Sequence, residues 1–282
     1  MHESPRGIRG FKKGEFRISC ILLPTFGQVT SPSTSFSSTG TMTAQPASAE
    51  PTPSPHPSKK IIEQSYDKIA PAYLEWTSSI PSPRLTYLHK LLPLLPPPSA
   101  ASILELGCGA GVPCTQILAR HASSLIAVDI SATQLELARE NVKGEEGGEG
   151  RARVEFVKSD MHALSFPDAA FDAVVGFYSI IHLPREEQVA LMKRIESWLK
   201  PGGYFLANFS ASACEEAWQE SWLAEGSGMF WSSWDEGKTV EMVKEAGLEV
   251  LEGSVVWEDE GLVGGPNVGF LWVLGRKGTR EA

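Results

Sequence analysis

An apolar run that feeds straight into glycines at every second position is what most restricts the folding of this 282-residue chain. The stretch is Ile103-Leu104-Glu105-Leu106-Gly107-Cys108-Gly109-Ala110-Gly111. A run of strand length delivers the chain into a loop where alternate residues lack a Cβ, so the backbone can take positive φ and lie directly against a ligand. The dinucleotide fingerprint needs its third glycine one position later, and that position is Val112, so Gly-x-Gly-x-Gly is the sharper reading.

Around this loop the pattern alternates between strand and helix. Strands are predicted at 102–106, 124–128, 153–157, 171–178, 203–209, 248–257 and 269–274, with helices at 115–121, 132–143 and 185–199 between the earlier ones. That order predicts an α/β fold, a Rossmann-like seven-stranded and mostly parallel sheet with helices on both faces. The loop between the last two strands is too short for a parallel crossover, so they should pair antiparallel, with the last strand reversed. Ahead of the core, Ile61, Ile62, Tyr66, Ile69, Ala70 and Tyr73 recur at helical spacing and predict an amphipathic helix; a second helix over 85–95 ends at Pro96-Pro97-Pro98.

Two domain-level regions follow. Residues 1–59 are rich in Ser, Thr and Pro and predict a disordered extension, within which Met42 offers an alternative start; residues 60–282 form the folded domain. Gly144 to Gly150 reads as a flexible acidic linker, without the rigid elements a metal site would need. A net charge of −9 argues against nucleic acid or anionic membrane as partner and favours a small-molecule one. No apolar run is long enough to span a bilayer. Four irregularly spaced cysteines suggest neither a disulfide framework nor zinc, and Cys108 between glycines is explained by space rather than nucleophilicity. A reducing, cytoplasmic setting is the expectation, with Arg6, Arg9, Lys12, Lys13 and Arg17 leaving organellar targeting as the alternative.

Glu105 two residues before Gly107 completes an acidic-x-Gly-x-Gly-x-Gly string that resembles motif I of the class I S-adenosylmethionine (SAM) dependent methyltransferases. Leu199-Lys200-Pro201-Gly202-Gly203 resembles a turn of their small-molecule branch, which includes quinone and sterol methyltransferases, and Tyr66-Asp67-x-x-Ala70-x-x-Tyr73 resembles its N-terminal lid. The resemblance implies SAM as cofactor and a cofactor site made of Tyr66, Glu105, Gly107, Cys108, Gly109, Gly111, Asp129, Ile130, Asp160, Met161 and Phe177. Asp129, at a strand end about 20 residues after the loop, is where an acid meets ribose hydroxyls. Asp160 would take the adenine amino group with Met161 against the ring, and Glu105 would hold either the loop N–H groups or the methionine amino group. Arg84 is a candidate for the methionine carboxylate.

On the acceptor side, Tyr73, Tyr178, Phe230 and Trp231 are candidate substrate-binding residues and His182 a candidate general base. The stretch after Gly176 lacks the Asn/Asp-Pro-Pro-Tyr/Phe string of methyltransferases acting on DNA bases or glutamine. Trp218 and Trp222, four apart, predict the core face of an inserted helix, and Glu258, Asp259 and Glu260 an acidic hairpin that is solvated or hangs over the site. The expected function is methyl transfer from SAM to a small-molecule acceptor, with no metal. The alternatives are a non-catalytic SAM-binding partner and a nicotinamide-dependent oxidoreductase. The acceptor and the oligomeric state are left open.

Overall fold

A computed structural model of the chain describes residues 56–143, 152–259 and 267–279. The expectations for residues 1–55, for the Gly144–Gly150 linker and for Glu260 lie outside the described residues. The elements in chain order are α1 (Ser58–Ser79), α2 (Arg84–Leu91), β1 (Ser102–Leu106), α3 (Cys114–Arg120), β2 (Ser124–Asp129), α4 (Ala132–Val142), β3 (Arg153–Lys158), β4 (Phe171–Gly176), α5 (Arg185–Trp198), β5 (Leu199–Ser210), β6 (Cys214–Gln219), β7 (Met229–Ser233), α6 (Glu236–Glu245), β8 (Leu248–Glu258) and β9 (Val268–Lys277). The first described helix begins at Ser58, slightly before the expected domain boundary.

Seven strands form one sheet in the order β3-β2-β1-β4-β5-β9-β8. The pairings among β1 to β5 are parallel, and β9 runs antiparallel to both β5 and β8. Alternation along the central strands splits the core in two. Leu104, Val174, Phe205 and Leu271 point to the face covered by α5 and α6, where Leu191, Ile195, Met242 and Val243 are buried. Ile103, Val175, Leu206 and Trp272 point the other way, onto Tyr87, Leu88 and Leu118 of α2 and α3. Each such buried side chain contributes about 1.5–3 kcal/mol relative to exposure. Helices on both faces are thus required by strands that are apolar on both sides.

The chain runs from β1 outward to β3 and then returns to β4 on the other side of β1. That reversal opens a crevice at the carboxyl ends of β1 and β4, beside the glycine loop.

Three local differences have physical causes. β4 stops at Gly176 because Tyr178 adopts φ 53, outside the extended region. The Pro201-Gly202-Gly203 turn lies inside β5 as a register shift between Phe171↔Leu199 and Ala173↔Tyr204, with Gly202 at φ 79. The helix predicted around Trp218 and Trp222 is instead the two-stranded ribbon β6–β7, with Trp218 opposite Phe230. Trp218 is 46% exposed on that ribbon, whereas Trp222 is buried in the connecting loop. Spacing of four fits a helix, but Gly226 and Gly228 break it, and α1 supplies the surface Trp222 packs on: its ring lies 5.7 Å from Tyr73 and 5.5 Å from Trp76.

Helix α1 lies across the crevice with one face turned to the domain. Asp67 on that face accepts from Ser131 Oγ (2.6 Å) and from the Thr133 backbone N–H (3.0 Å), so a carboxylate from one helix sits at the amino end of another, α4. Ser131 is itself the N-cap of α4, its Oγ accepting from Gln134 N–H. Replacing Asp67 by Ala should cost about 1–2 kcal/mol in urea unfolding, the range of a lost cap, and Asp67→Asn less.

Candidate cofactor and acceptor site

The crevice is a cavity with about 980 Å³ of space free of atoms, its solvent-facing mouth included, between the ends of β1, β2 and β4 and the underside of α1. The glycine loop forms its floor. Gly107, Gly109 and Gly111 all have positive φ, at 75, 55 and 78. Their duties differ. A Cβ on Gly107 would lie 2.3 Å from Ser179 Cβ, and one on Gly111 would meet Val142 and Ala138 of α4 at 3.0 and 3.3 Å. At Gly109 nothing stands nearer than Gln134 Oε1 at 3.8 Å. Gly109 is therefore where backbone is bared to the cavity. Gly111, expected to touch the cofactor, does not line the cavity and serves helix packing instead.

The loop is fastened to the end of β2. Gly107 and Cys108 N–H donate to the Val128 carbonyl, and Gly109 N–H donates to Asp129 Oδ2 at 2.8 Å. Asp129 Oδ1 accepts from Ser131 N–H, and Asp129 lines the cavity. Burial pushes the Asp129 carboxyl up to about 6. Cys108 and Cys114 also line the cavity; burial pushes Cys114 up to about 12 and Cys108 well above the thiol range, which makes both poor nucleophiles.

Glu105 is 2% exposed and its Oε2 has no hydrogen-bond partner. Burial, partly offset by the Arg84 charge, pushes its carboxyl up to about 8. The N–H groups of Gly107, Cys108, Gly109 and Gly111 go to Val128, Asp129 and Cys108 rather than to Glu105. Gln134, on the first turn of α4, was not foreseen: it is 1% exposed, lines the cavity, and both its Oε1 and Nε2 lack partners. Unpaired buried polar atoms are costly, and a ligand with an amino-acid end and ribose hydroxyls would satisfy these. The residues present fit SAM on that test.

At the far end Asp160 lines the cavity with Met161 and caps the short 3-10 turn after β3 by accepting from His162 N–H. Lys59, also missed from sequence, donates to both Asp160 oxygens. Ile130 and Phe177 also line the cavity.

Toward α1 the cavity is lined by Tyr66, Tyr73, Leu74, Thr77, Tyr178 and His182. His182 Nδ1 lies 2.7 Å from the Phe230 carbonyl and must carry its proton there, so Nε2 accepts from the Tyr66 hydroxyl at 2.9 Å. Burial pushes the imidazole down to about 4. Phe230 and Trp231, expected in the pocket, do not line it: Phe230 is fully buried behind His182, and Trp231 stacks outside it, 6.0 Å from the His182 ring. As neighbours in β7 the two point to opposite faces, Phe230 onto His56 and Trp218 and Trp231 onto His182 and Trp222. Tyr178 N–H donates to Asn208 Oδ1, and its hydroxyl donates to Glu258 at 2.6 Å. Glu258 is accordingly half-buried against Tyr178 and Trp272 rather than solvated, while Asp259 is exposed. Arg84 lines the cavity and is steadied by Ser82, which its Nε meets at 3.1 Å.

With this geometry in view, residues 103–203 match a family described as a methyltransferase domain. Methyltransferase GfsG of Streptomyces halstedii is 35% identical over 101 residues, covering 36% of this chain and 34% of that protein. Sterol 24-C-methyltransferase erg6 of Aspergillus fumigatus is 33% identical over 103 residues, 36% of this chain and 26% of that protein. The chain thus spans about a third or less of these curated relatives. The structure of Burkholderia thailandensis 1,6-didemethyltoxoflavin-N1-methyltransferase, with its substrate and S-adenosylhomocysteine bound, superposes with TM-score 0.58 at 19% identity, over 83% of this chain and 94% of that one. Residues 103–203 thus match a methyltransferase-domain family, and the sheet shares the fold of the methyltransferase structures it superposes on.

Glu105 and Asp129 supply a test on the protein alone. Both carboxyls hold a proton in the folded state that the unfolded chain releases, so stability is full below their unfolded values near 4.5 and 3.8 and falls as pH rises through about 8 and about 6. Glu105→Gln should flatten this decline and leave the cofactor-free protein more stable than wild type at pH 8, by on the order of a few kcal/mol in urea unfolding.

Proposed function

We propose that this chain transfers the methyl group of SAM to a small-molecule acceptor. The observation that carries the reading is the cavity at the β1/β4 switch point, where the unpaired Glu105 and Gln134 stand beside Asp129 and the bared backbone of Gly109. When bound, SAM supplies a methyl group on a sulfonium that leaves as a neutral thioether. The chain's own work is then alignment and exclusion of water.

Glu105 and Arg84 would hold the amino-acid end, Asp129 and Gln134 the ribose, and Asp160 and Met161 the adenine. Tyr66 and Tyr73, with rings 5.3 Å apart, would present aromatic faces where a sulfonium gains cation–π attraction that the neutral product lacks. His182 acts through Tyr66: its Nε2 receives the tyrosine hydroxyl and keeps α1 closed, and a group pushed down to about 4 is a weak proton acceptor. The acceptor is therefore one that presents its own nucleophilic lone pair or carbon. Relatives named for methylation at C-24 of a sterol and at N1 of 1,6-didemethyltoxoflavin are compatible with either.

A nicotinamide-dependent oxidoreductase is disfavoured by Val112 at the third fingerprint position. A non-catalytic SAM-binding partner would share the cofactor wall; the aromatic chamber of Tyr66, Tyr73 and Tyr178 beyond that wall favours turnover.

Calorimetric titration of the full chain with S-adenosylhomocysteine and, separately, NADH decides the cofactor. Binding of S-adenosylhomocysteine alone is expected, weakened at least about tenfold by Asp129→Ala, the worth of one charge-assisted hydrogen bond. Binding of NADH, or of neither, would overturn the assignment, and labelled SAM with candidate acceptors then separates enzyme from binder.

A further inference from the structure

Lys59 is a buried cation on a helix that covers the site mainly with aromatic and aliphatic side chains. It lies in the first turn of α1 and is 7% exposed. Its Nζ donates to Asp160 Oδ1 at 2.9 Å and Oδ2 at 2.8 Å, and pairs with Glu187 on the first turn of α5. The ammonium is thus enclosed by the carboxylates of Asp160 and Glu187, and Lys59 also lines the cavity.

Its effect falls on Asp160. Oδ1 already accepts from both Lys59 and His162 N–H, whereas Oδ2 accepts from Lys59 alone. With two lone pairs per carboxylate oxygen, the vacant direction is on Oδ2. A carboxylate clamped on one side by a cation and offering one acceptor direction suits an N–H donor and repels a carbonyl. The clamp comes from α1, while Asp160 belongs to the domain beneath.

We propose that Lys59 is a positioning residue of the adenine subsite, which selects an amino-bearing purine and makes closure of α1 and binding of that purine one event. The proposal rests on the methyltransferase reading above and names the residue through which the lid takes part in it. By linkage, whatever stabilises α1 on Asp160 tightens the purine, and the purine stabilises α1 to the same extent.

The test compares the full-length wild type with Lys59→Met, Lys59→Arg and Glu187→Gln. Two ligands are titrated by calorimetry: S-adenosylhomocysteine, and S-inosylhomocysteine, in which a ring carbonyl replaces the amino group. Hydrogen exchange of residues 58–79 is followed with and without S-adenosylhomocysteine. Wild type should prefer S-adenosylhomocysteine by at least about tenfold, the worth of one hydrogen bond to a charged group, and binding should slow exchange in α1. Lys59→Met should weaken S-adenosylhomocysteine far more than S-inosylhomocysteine and remove its effect on exchange, with Lys59→Arg largely restoring both. Glu187 does not line the cavity, so Glu187→Gln should act in the same direction but less, and it serves if Lys59→Met does not fold.

Equal weakening of both ligands would mean simple loosening and would sink the proposal, as would unchanged selectivity in Lys59→Met. Wild type that binds S-adenosylhomocysteine without selectivity overturns Lys59 alone. Wild type that binds neither ligand overturns the cofactor reading itself.

Discussion

Two carboxyl groups kept out of water at the ends of adjacent strands set the terms for the rest of this structure. Glu105 and Asp129 are 2% and 8% exposed, and burial of this kind is tolerated only where something else holds the fold together. Here it is the double-sided core, with Leu104 and Ile103 facing opposite helical layers within a single strand. The two acids differ in how their charge is met. Asp129 is given backbone N–H groups by the loop it fastens, whereas Glu105 is left with an oxygen that nothing in the protein satisfies. The fold thus carries a local debt that a cationic ligand end would settle.

Helix α1 responds to the same constraint. Lys59, Glu63, Tyr66 and Asp67 fall on one helical face and reach, in turn, Asp160, Lys158, His182 and the amino end of α4. These polar contacts accompany an apolar stripe of Ile62, Ile69 and Ala70, which α1 buries against the domain. Aromatic packing of Tyr73 and Trp76 on Trp222 adds to the apolar part at the other end.

Much of this was legible in the residues because the relevant physics is local. Period-two and period-3.6 patterns placed the seven strands of the main sheet and the helices between them, and the glycine spacing located the loop. Asp129, expected from its strand-end position, and Asp160 and Tyr66, expected from the family resemblance, all line the cavity. What escaped depends on contacts between distant parts. Nothing near Lys59 announces that Asp160 will sit 101 residues away. Gln134 looks like any polar residue in a first helical turn until the loop closes over it. Trp218 and Trp222 share a spacing that serves helix or ribbon equally, and only the pairing with Phe230 decides. Gly111 shows the reverse error, since a glycine can be required by a neighbouring helix as readily as by a ligand.

The place of β9 in the sheet has a consequence for the order of assembly. It is the last strand described along the chain, yet it lies between β5 and β8 and pairs with both. β8 has no other neighbour, so it joins the sheet only through β9. The five parallel strands that frame the crevice can therefore assemble while β8 is still unpaired, and the final hairpin closes as a unit onto Phe205 and Phe209. During synthesis, the cofactor wall precedes the edge that completes it, and both β8 and the outer edge of β5 wait for β9.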